Sequence, residues 1–147
     1  MLLAVFKDLQ ALLADQLSRQ ASAHKYSYDG AIDKWVNVAL KKMGAANRVG
    51  TVHWVYNEQL SGVAARCKFI SVGDWHYFAY IELSPIFFAH APHSIRRQVI
   101  FHEVAHAVDS FMETYNQDRS HGKSWKALMK LAGVPATLHY YINKKDL

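Results

Sequence analysis

The sequence has a single cysteine, Cys67, among its 147 residues, so no disulfide can form within the chain and no cysteine-based zinc ribbon can be built. It also lacks a run of about 18 apolar residues, the length that a membrane-spanning helix needs. The N-terminal segment carries charge too early, and its apolar run is too short, for a secretory signal. We therefore expect a soluble, intracellular protein, cytoplasmic in a bacterial or viral-host setting, with no membrane partner.

The length fits one domain, which we expect to span residues 1–147. Hydrophobic residues make up 51% of the chain, which excludes an intrinsically disordered protein. The formal net charge is +5, and a basic protein of this kind suits an anionic partner such as nucleic acid. A solvated basic surface gives the same net charge, so composition alone leaves both interpretations open.

Three segments outside the central part of the chain show apolar residues at helical spacing. The first covers about residues 2–23, and the second covers about residues 28–43, where Gly44 is placed to end a helix. Near the C-terminus, Ser124 is a candidate N-cap for a third helix that Gly133 would end. We expect all three helices to pack against a core.

The central part of the chain is rich in β-branched and aromatic residues. Strands are predicted at residues 49–56, 63–71 and 75–83, with turn signals between them. Short connections between consecutive strands favour an antiparallel meander. The expected fold is therefore α+β, with N-terminal helices, a three-stranded antiparallel sheet, a motif helix and a C-terminal helix.

The motif helix, predicted over residues 93–111, contains the pattern His-Glu-x-x-His at positions 102–106. Residues four apart lie above one another on a helix, so His102 and His106 can direct their imidazoles at a single metal ion. Glu103 lies beside them, where it can serve as a general base without being a ligand. The helix also carries a broad apolar face, so burial is expected, and zinc would satisfy polar groups that are costly to bury.

A catalytic zinc site usually has three protein ligands, so one more is required. The candidates are Asp109, Glu113, His121 and His139. Asp109 lies about 10 Å along the helix axis from His102, which suits a carboxylate that supports a ligand, or a surface charge, better than a ligand. His121 follows His106 after a polar loop that can turn the chain back, and Gly122 permits a close approach. This reasoning favours His121.

At these residues the chain resembles the SprT-like metallopeptidase family, which includes the Spartan DNA–protein crosslink proteases. The likeness is carried by the motif at 102–106, by Ser120-His121-Gly122-Lys123-Ser124-Trp125, and by the upstream segments 56–60, 65–67 and 81–85. It runs from about residue 28 to residue 133. Ser120 stands where family members often have glycine, and the zinc ribbon that many of them carry cannot form with one cysteine.

The resemblance implies a compact zincin-like (minigluzincin-type) domain with zinc bound by His102, His106 and His121, and with Glu103 as the base. The expected activity is that of a zinc-dependent endopeptidase acting on proteins, including DNA-bound or DNA-crosslinked ones. The substrate is expected to lie extended along a strand edge. A group that stabilises the oxyanion is also expected, for which Tyr140, Tyr141, His139 and His76 are all chemically able.

Five basic residues could border the cleft and attract DNA phosphates, or could simply keep the surface solvated: Arg96, Arg97, Lys123, Lys126 and Lys130.

Two other functions stay open. The chain could be a binding module for nucleic acid or a protein partner, with a structural zinc ion and little activity. It could also be another zinc hydrolase, such as an amidase; a deformylase is disfavoured because Cys67 reads as a small core residue on a strand. The sequence leaves the oligomeric state open.

Overall fold

The computed structural model describes residues 29–60, 62–72, 75–112 and 121–140. Its elements, in chain order, are helix α1 (Asp29–Lys42), strands β1 (Val52–Tyr56), β2 (Ala65–Val72) and β3 (Trp75–Leu83), and helices α2 (Pro85–His90), α3 (His93–Phe111) and α4 (Lys123–Ala132), with a short 3-10 turn at Ala46–Arg48. This confirms the α+β class. The predicted helix at residues 2–23 and the predicted polar loop before His121 lie outside the described residues.

Helix α1 forms where the apolar spacing predicted it. The apolar residues that repeat at this spacing are all buried: Ile32, Trp35, Val36, Ala39, Leu40 and Met43. The helix ends at Gly44, whose φ of 75° is a left-handed conformation that glycine adopts without steric cost. The backbone N–H of Ala45 then donates to the carbonyl of Leu40 and closes the helix end.

The sheet corrects the predicted antiparallel meander. Its strand order is β1-β3-β2, in which β2 and β3 are antiparallel but β1 and β3 are parallel. The connection from Tyr56 to Ala65 explains the difference, because it is longer than a tight hairpin and carries the chain past the end of β3. Two backbone hydrogen bonds hold it there, one from Asn57 to Leu83 and one from Ser84 to Ala64. In the described part of the chain, β2 is therefore an edge strand.

A buried carboxylate links β3 to β2 and to the residue that follows β1. Glu82 of β3 is 5% exposed and accepts hydrogen bonds from Asn57 Nδ2 at 2.6 Å and Arg66 Nε at 2.9 Å. Lys68 Nζ lies 3.3 Å from its other oxygen. Burial alone would raise the pKa of Glu82, but these three partners together hold it below its usual value.

Helix α2 is an element that the sequence patterns did not predict. Its start has an evident cause, since Ser84 Oγ accepts a hydrogen bond from the backbone N–H of Phe87, and Pro85 occupies the first turn. Its buried residues Phe87 and Phe88 join the core.

Helix α3 lies against α1, β2, β3 and α4, so the motif is at the centre of the molecule. Its apolar residues Val99, Phe101, Val104 and Val108 are all buried, as predicted. No helix in the described segments is long and apolar enough to cross a membrane.

Helix α4 ends at Gly133 as predicted, with a φ of 75°. Its predicted N-cap was wrong, because the cap residue is Gly122 and Ser124 lies within the first turn. The cap makes no side-chain hydrogen bond, and the first helical bond runs from the N–H of Lys126 to the carbonyl of Gly122. The helix thus starts directly after His121.

Candidate metal centre

Three histidine side chains meet at one point between α3 and the start of α4. His102 and His106 project from adjacent turns of α3, and His121 reaches them from the residue before the α4 N-cap. Their Nε2 atoms are separated by 3.1 Å (His102 to His106), 3.1 Å (His106 to His121) and 3.2 Å (His102 to His121). No other His, Cys, Asp or Glu of the described segments joins this group.

The donor set fits a zinc ion. Nitrogen ligands bound at about 2.0–2.1 Å to one tetrahedral ion lie roughly 3.3 Å apart, close to the separations in this cluster. All three donors are ring nitrogens of the same kind, and three protein ligands leave the fourth position open for a reactant. His102, His106 and His121 are therefore the residues that could hold the metal.

A backbone carbonyl orients the first ligand. His102 Nδ1 lies 3.0 Å from the carbonyl oxygen of Thr137, to which only a protonated Nδ1 can donate. This assigns the Nδ1–H tautomer to His102, so that its Nε2 carries the free lone pair that a metal needs. No sequence signal points to Thr137, because its contribution comes from the backbone.

Trp125 belongs to the segment that carries the family resemblance, but its spacing marked it only as part of the apolar face of a helix, and the sequence did not assign it to the site. Its side chain is fully buried, and its Nε1–H donates to the backbone carbonyl of His102 at 3.2 Å. Its ring centroid lies 4.7 Å from that of His102, 5.5 Å from that of His106 and 4.7 Å from that of His121. The indole contacts all three candidate ligands.

The environment keeps the histidines neutral. Burial, followed by the nearby His121, lowers the pKa of His102 to about 4, although the bond to Thr137 opposes this. Burial and the two neighbouring rings lower the pKa of His106 to about 3. Burial also lowers the pKa of His121, with further effects from His139 and Lys126. At neutral pH the cluster therefore holds no proton that a metal ion would have to displace.

Glu103 is buried beside the cluster. It is 6% exposed, and one of its carboxylate oxygens lies 3.9 Å from His102 Nε2. Because His102 is neutral, this contact is not an ion pair. Burial raises the pKa of Glu103 from 4.5 to about 8, so the group can carry a proton near neutral pH, as a general acid or base must.

A cavity of about 400 Å³ opens over the histidines and Glu103. One wall is formed by edge strand β2 and the residues just before it, and another by residues 138–140. Cys67 lines this cavity, half-buried on β2, but it does not belong to the histidine cluster. Burial raises the pKa of its thiol well above the usual value, and the Glu103 carboxylate adds to this effect. Because the Cys67 sulfur lies outside the cluster of candidate metal donors, the structure argues against the deformylase interpretation.

Tyr140 also lines the cavity. Its ring lies 5.7 Å from that of His102, and its buried hydroxyl has no hydrogen-bond partner within the described part of the chain. Burial raises the pKa of this hydroxyl, the Thr137 side chain opposes the change, and the Glu103 carboxylate adds to it. The Thr137 side chain is near this hydroxyl but does not form a hydrogen bond of good geometry with it. A donor without a partner is thus available at the cavity wall.

The structure places two of the remaining predicted candidates, Asp109 and His139, outside the histidine cluster. Asp109 is 2% exposed, so the surface-charge interpretation is wrong, and it lines the cavity outside the histidine cluster. His139 is exposed, with its ring 6.3 Å from that of His121. Glu113, Tyr141 and the side chain of His76 lie outside the described residues.

The basic residues divide into two groups. Lys123, Lys126 and Lys130 are exposed on α4 at the three- and four-residue spacing of one helix face, and Lys126 is close enough to act on the pKa of His121. Arg96 and Arg97 are only partly exposed, and the Arg97 guanidinium lies 4.3 Å from the centroid of the Phe101 ring. Of the three lysines, Lys126 lies near His121, whereas Arg97 packs on a core ring.

Comparison with known proteins gives two matches. The sequence model described as the SprT-like family matches residues 33–143. Protein SprT of Vibrio parahaemolyticus serotype O3:K6 (strain RIMD 2210633) is 40% identical over 63 residues, which cover 42% of this chain and 37% of that protein. The match thus spans little more than a third of the relative's length. No solved structure matches the chain.

Proposed function

The chain belongs to the SprT-like family, and from this premise we propose that it is a zinc-dependent metallopeptidase that hydrolyses peptide bonds in proteins. The observation that carries the proposal is the convergence of three neutral histidines beside a buried carboxylate in one cavity. A purely structural three-histidine site has no use for Glu103, whose burial without a charged partner is costly. That cost favours an enzyme over a binding module.

The roles of the residues follow from their positions. His102, His106 and His121 would hold the zinc ion, which when bound supplies Lewis acidity for the attack of water on a carbonyl. Glu103 accepts the proton of the attacking water and passes it to the nitrogen of the leaving amine as the C–N bond breaks. The hydroxyl of Tyr140 is the candidate donor to the oxyanion, because it lies at the same cavity wall with its hydrogen-bonding capacity unused.

Substrate would bind in an extended conformation beside β2. The outer edge of this strand borders the cavity and has no partner strand in the described part of the chain, so its backbone groups can pair with a peptide. Such pairing selects for an extended backbone more than for particular side chains. Unfolded or loosely structured protein segments are therefore the substrate class that this geometry favours.

The test is Glu103→Gln, which keeps the size of the side chain but removes the base. We expect zinc content to be unchanged and cleavage of casein or histones to fall at least about a hundredfold. Asp33→Asn is the matched control, because it also removes one carboxylate but lies on the exposed face of α1. If the Glu103 variant cleaves as well as the unaltered protein, the mechanism is wrong. If the unaltered protein binds zinc and cleaves nothing, the binding-module interpretation replaces it.

DNA is proposed as a second partner, which would bring protein substrates to the site. The supporting observation is the exposed lysine face of α4, whose middle residue, Lys126, lies near enough to His121 to lower its pKa. Replacing Lys123, Lys126 and Lys130 by alanine should weaken DNA binding and reduce the salt-dependence slope by about 2 for single-stranded and about 3 for double-stranded DNA. The matched control replaces the exposed lysines of α1, namely Lys34, Lys41 and Lys42. Equal loss in both variants, or no binding at low salt, would contradict this partner.

A further inference from the structure

Trp125 has more contacts to the candidate metal centre than packing of a helix requires. The indole stacks on His106 with an angle of 22° between the ring planes, and meets His102 and His121 edge-on at 65° and 76°. Its N–H donates to the backbone carbonyl of His102. The side chain is fully buried, so solvent does not compete for any of these contacts.

We propose that Trp125 is the positioning residue of the metal site, which holds the three histidine rings in their converged arrangement before a metal ion binds. The inference rests on the zinc site of the proposed function and names the side chain that orders its ligands. It assigns to Trp125 a contribution to metal affinity, not only to the stability of the fold.

The physical basis is the origin of the ligands. His102 and His106 belong to α3, whereas His121 precedes α4, so the alignment of the third ring with the first two depends on contacts between the two helices. Trp125 follows His121 by one helical turn and reaches across to α3, so a single rigid side chain fixes both parts of the site. Imidazole rings that are already ordered lose little conformational freedom when a metal binds, and this preserves affinity.

The indole contributes in two ways, through its aromatic surface and through its N–H hydrogen bond, and substitutions can separate the two. Phenylalanine at position 125 would keep an aromatic surface under the histidines but would lose the N–H bond to His102. Leucine would lose both. Residues that support metal ligands typically change affinity by about tenfold to a hundredfold when they are removed. We expect a loss of zinc affinity of roughly threefold to tenfold for Trp125→Phe and of about tenfold to a hundredfold for Trp125→Leu.

Zinc affinity is measured by competition with a chromophoric chelator, using the full chain. Absorption spectra of the cobalt-loaded proteins report ligand geometry without any activity measurement, and the bands of the leucine variant should shift or broaden. Trp35→Phe is the matched control, because Trp35 is also buried (7% exposed) but packs against His93 rather than a ligand. It should lower the unfolding temperature and leave zinc affinity unchanged.

The outcomes separate the two proposals. If the Trp125 variants lose stability but bind zinc as tightly as the unaltered protein, Trp125 has a merely structural role and the inference is overturned. If the leucine variant fails to fold, the phenylalanine variant decides by the same criterion. An unaltered protein that binds zinc but does not cleave proteins refutes the proposed activity and leaves this inference in place. An unaltered protein that binds no zinc refutes both.

Discussion

Glu103 should destabilise the metal-free protein, because its burial favours the protonated form only in the folded state. Its pKa rises from 4.5 when unfolded to about 8 when folded. A raised carboxyl pKa gives stability that is fully present below the unfolded value and is lost as the pH rises towards the folded value. At pH 7, which is 2.5 units above the unfolded pKa, the free energy of unfolding is lower by about 3 kcal/mol, since each unit contributes 1.36 kcal/mol. At pH 5 it is below about 1 kcal/mol.

Glu103→Gln cannot lose a proton, so the metal-free variant should be more stable than the unaltered protein by up to about 3 kcal/mol at pH 7. The difference should almost vanish at pH 5. The measurement is urea unfolding of chelator-treated proteins, followed by circular dichroism between pH 5 and pH 8. Adding zinc should reduce the difference at pH 7, because a nearby cation favours the ionised carboxylate. A variant that is equally or less stable at every pH refutes this account of the buried carboxylate.

Two further predictions concern the scaffold. Glu82→Gln should cost about 1–2 kcal/mol at pH 7, since it weakens three contacts whose two cationic partners are half-exposed. Because the pKa of Glu82 is lowered in the folded state, this difference should shrink as the pH falls below the ordinary carboxyl range; equal destabilisation at acid and neutral pH in urea unfolding would contradict it. Gly133→Ala should cost about 1 kcal/mol through its positive φ alone, as no atom obstructs a Cβ there. An unchanged thermal unfolding midpoint would oppose this reasoning.

Much of the fold could be predicted from the sequence, because local patterns decide helices and strands. The helical spacing that ends at Gly44 and the β-branched segments before Ser84 each placed an element within a few residues of its observed bounds. Strand order could not be read in the same way. The parallel pairing of β1 with β3 depends on where the connection after Tyr56 travels, and that path is fixed by backbone hydrogen bonds to the end of β3.

At the site, the sequence indicated the residues whose chemistry is unusual. Two histidines four residues apart with a glutamate between them form a recognisable pattern, and the three-histidine cluster includes the favoured third candidate, His121. The roles of Thr137 and Trp125 could not be predicted, because Thr137 acts through a carbonyl that every residue has, and the spacing of Trp125 is that of any buried aromatic residue on a helix. Sequence patterns therefore miss the residues that orient candidate metal ligands rather than bind the metal themselves.

The parallel pairing of β1 with β3 also affects the order in which the strands pair during folding. Strands β2 and β3 are joined by a short hairpin, in which Val72 faces Trp75, whereas Val52 must find Ala79 across 27 residues. Closing the longer loop costs more chain entropy, and hairpins form within about 1–10 μs. We therefore expect the hairpin to form first and to serve as the template on which β1 docks. The strand that borders the cavity would then be in place before the sheet is complete.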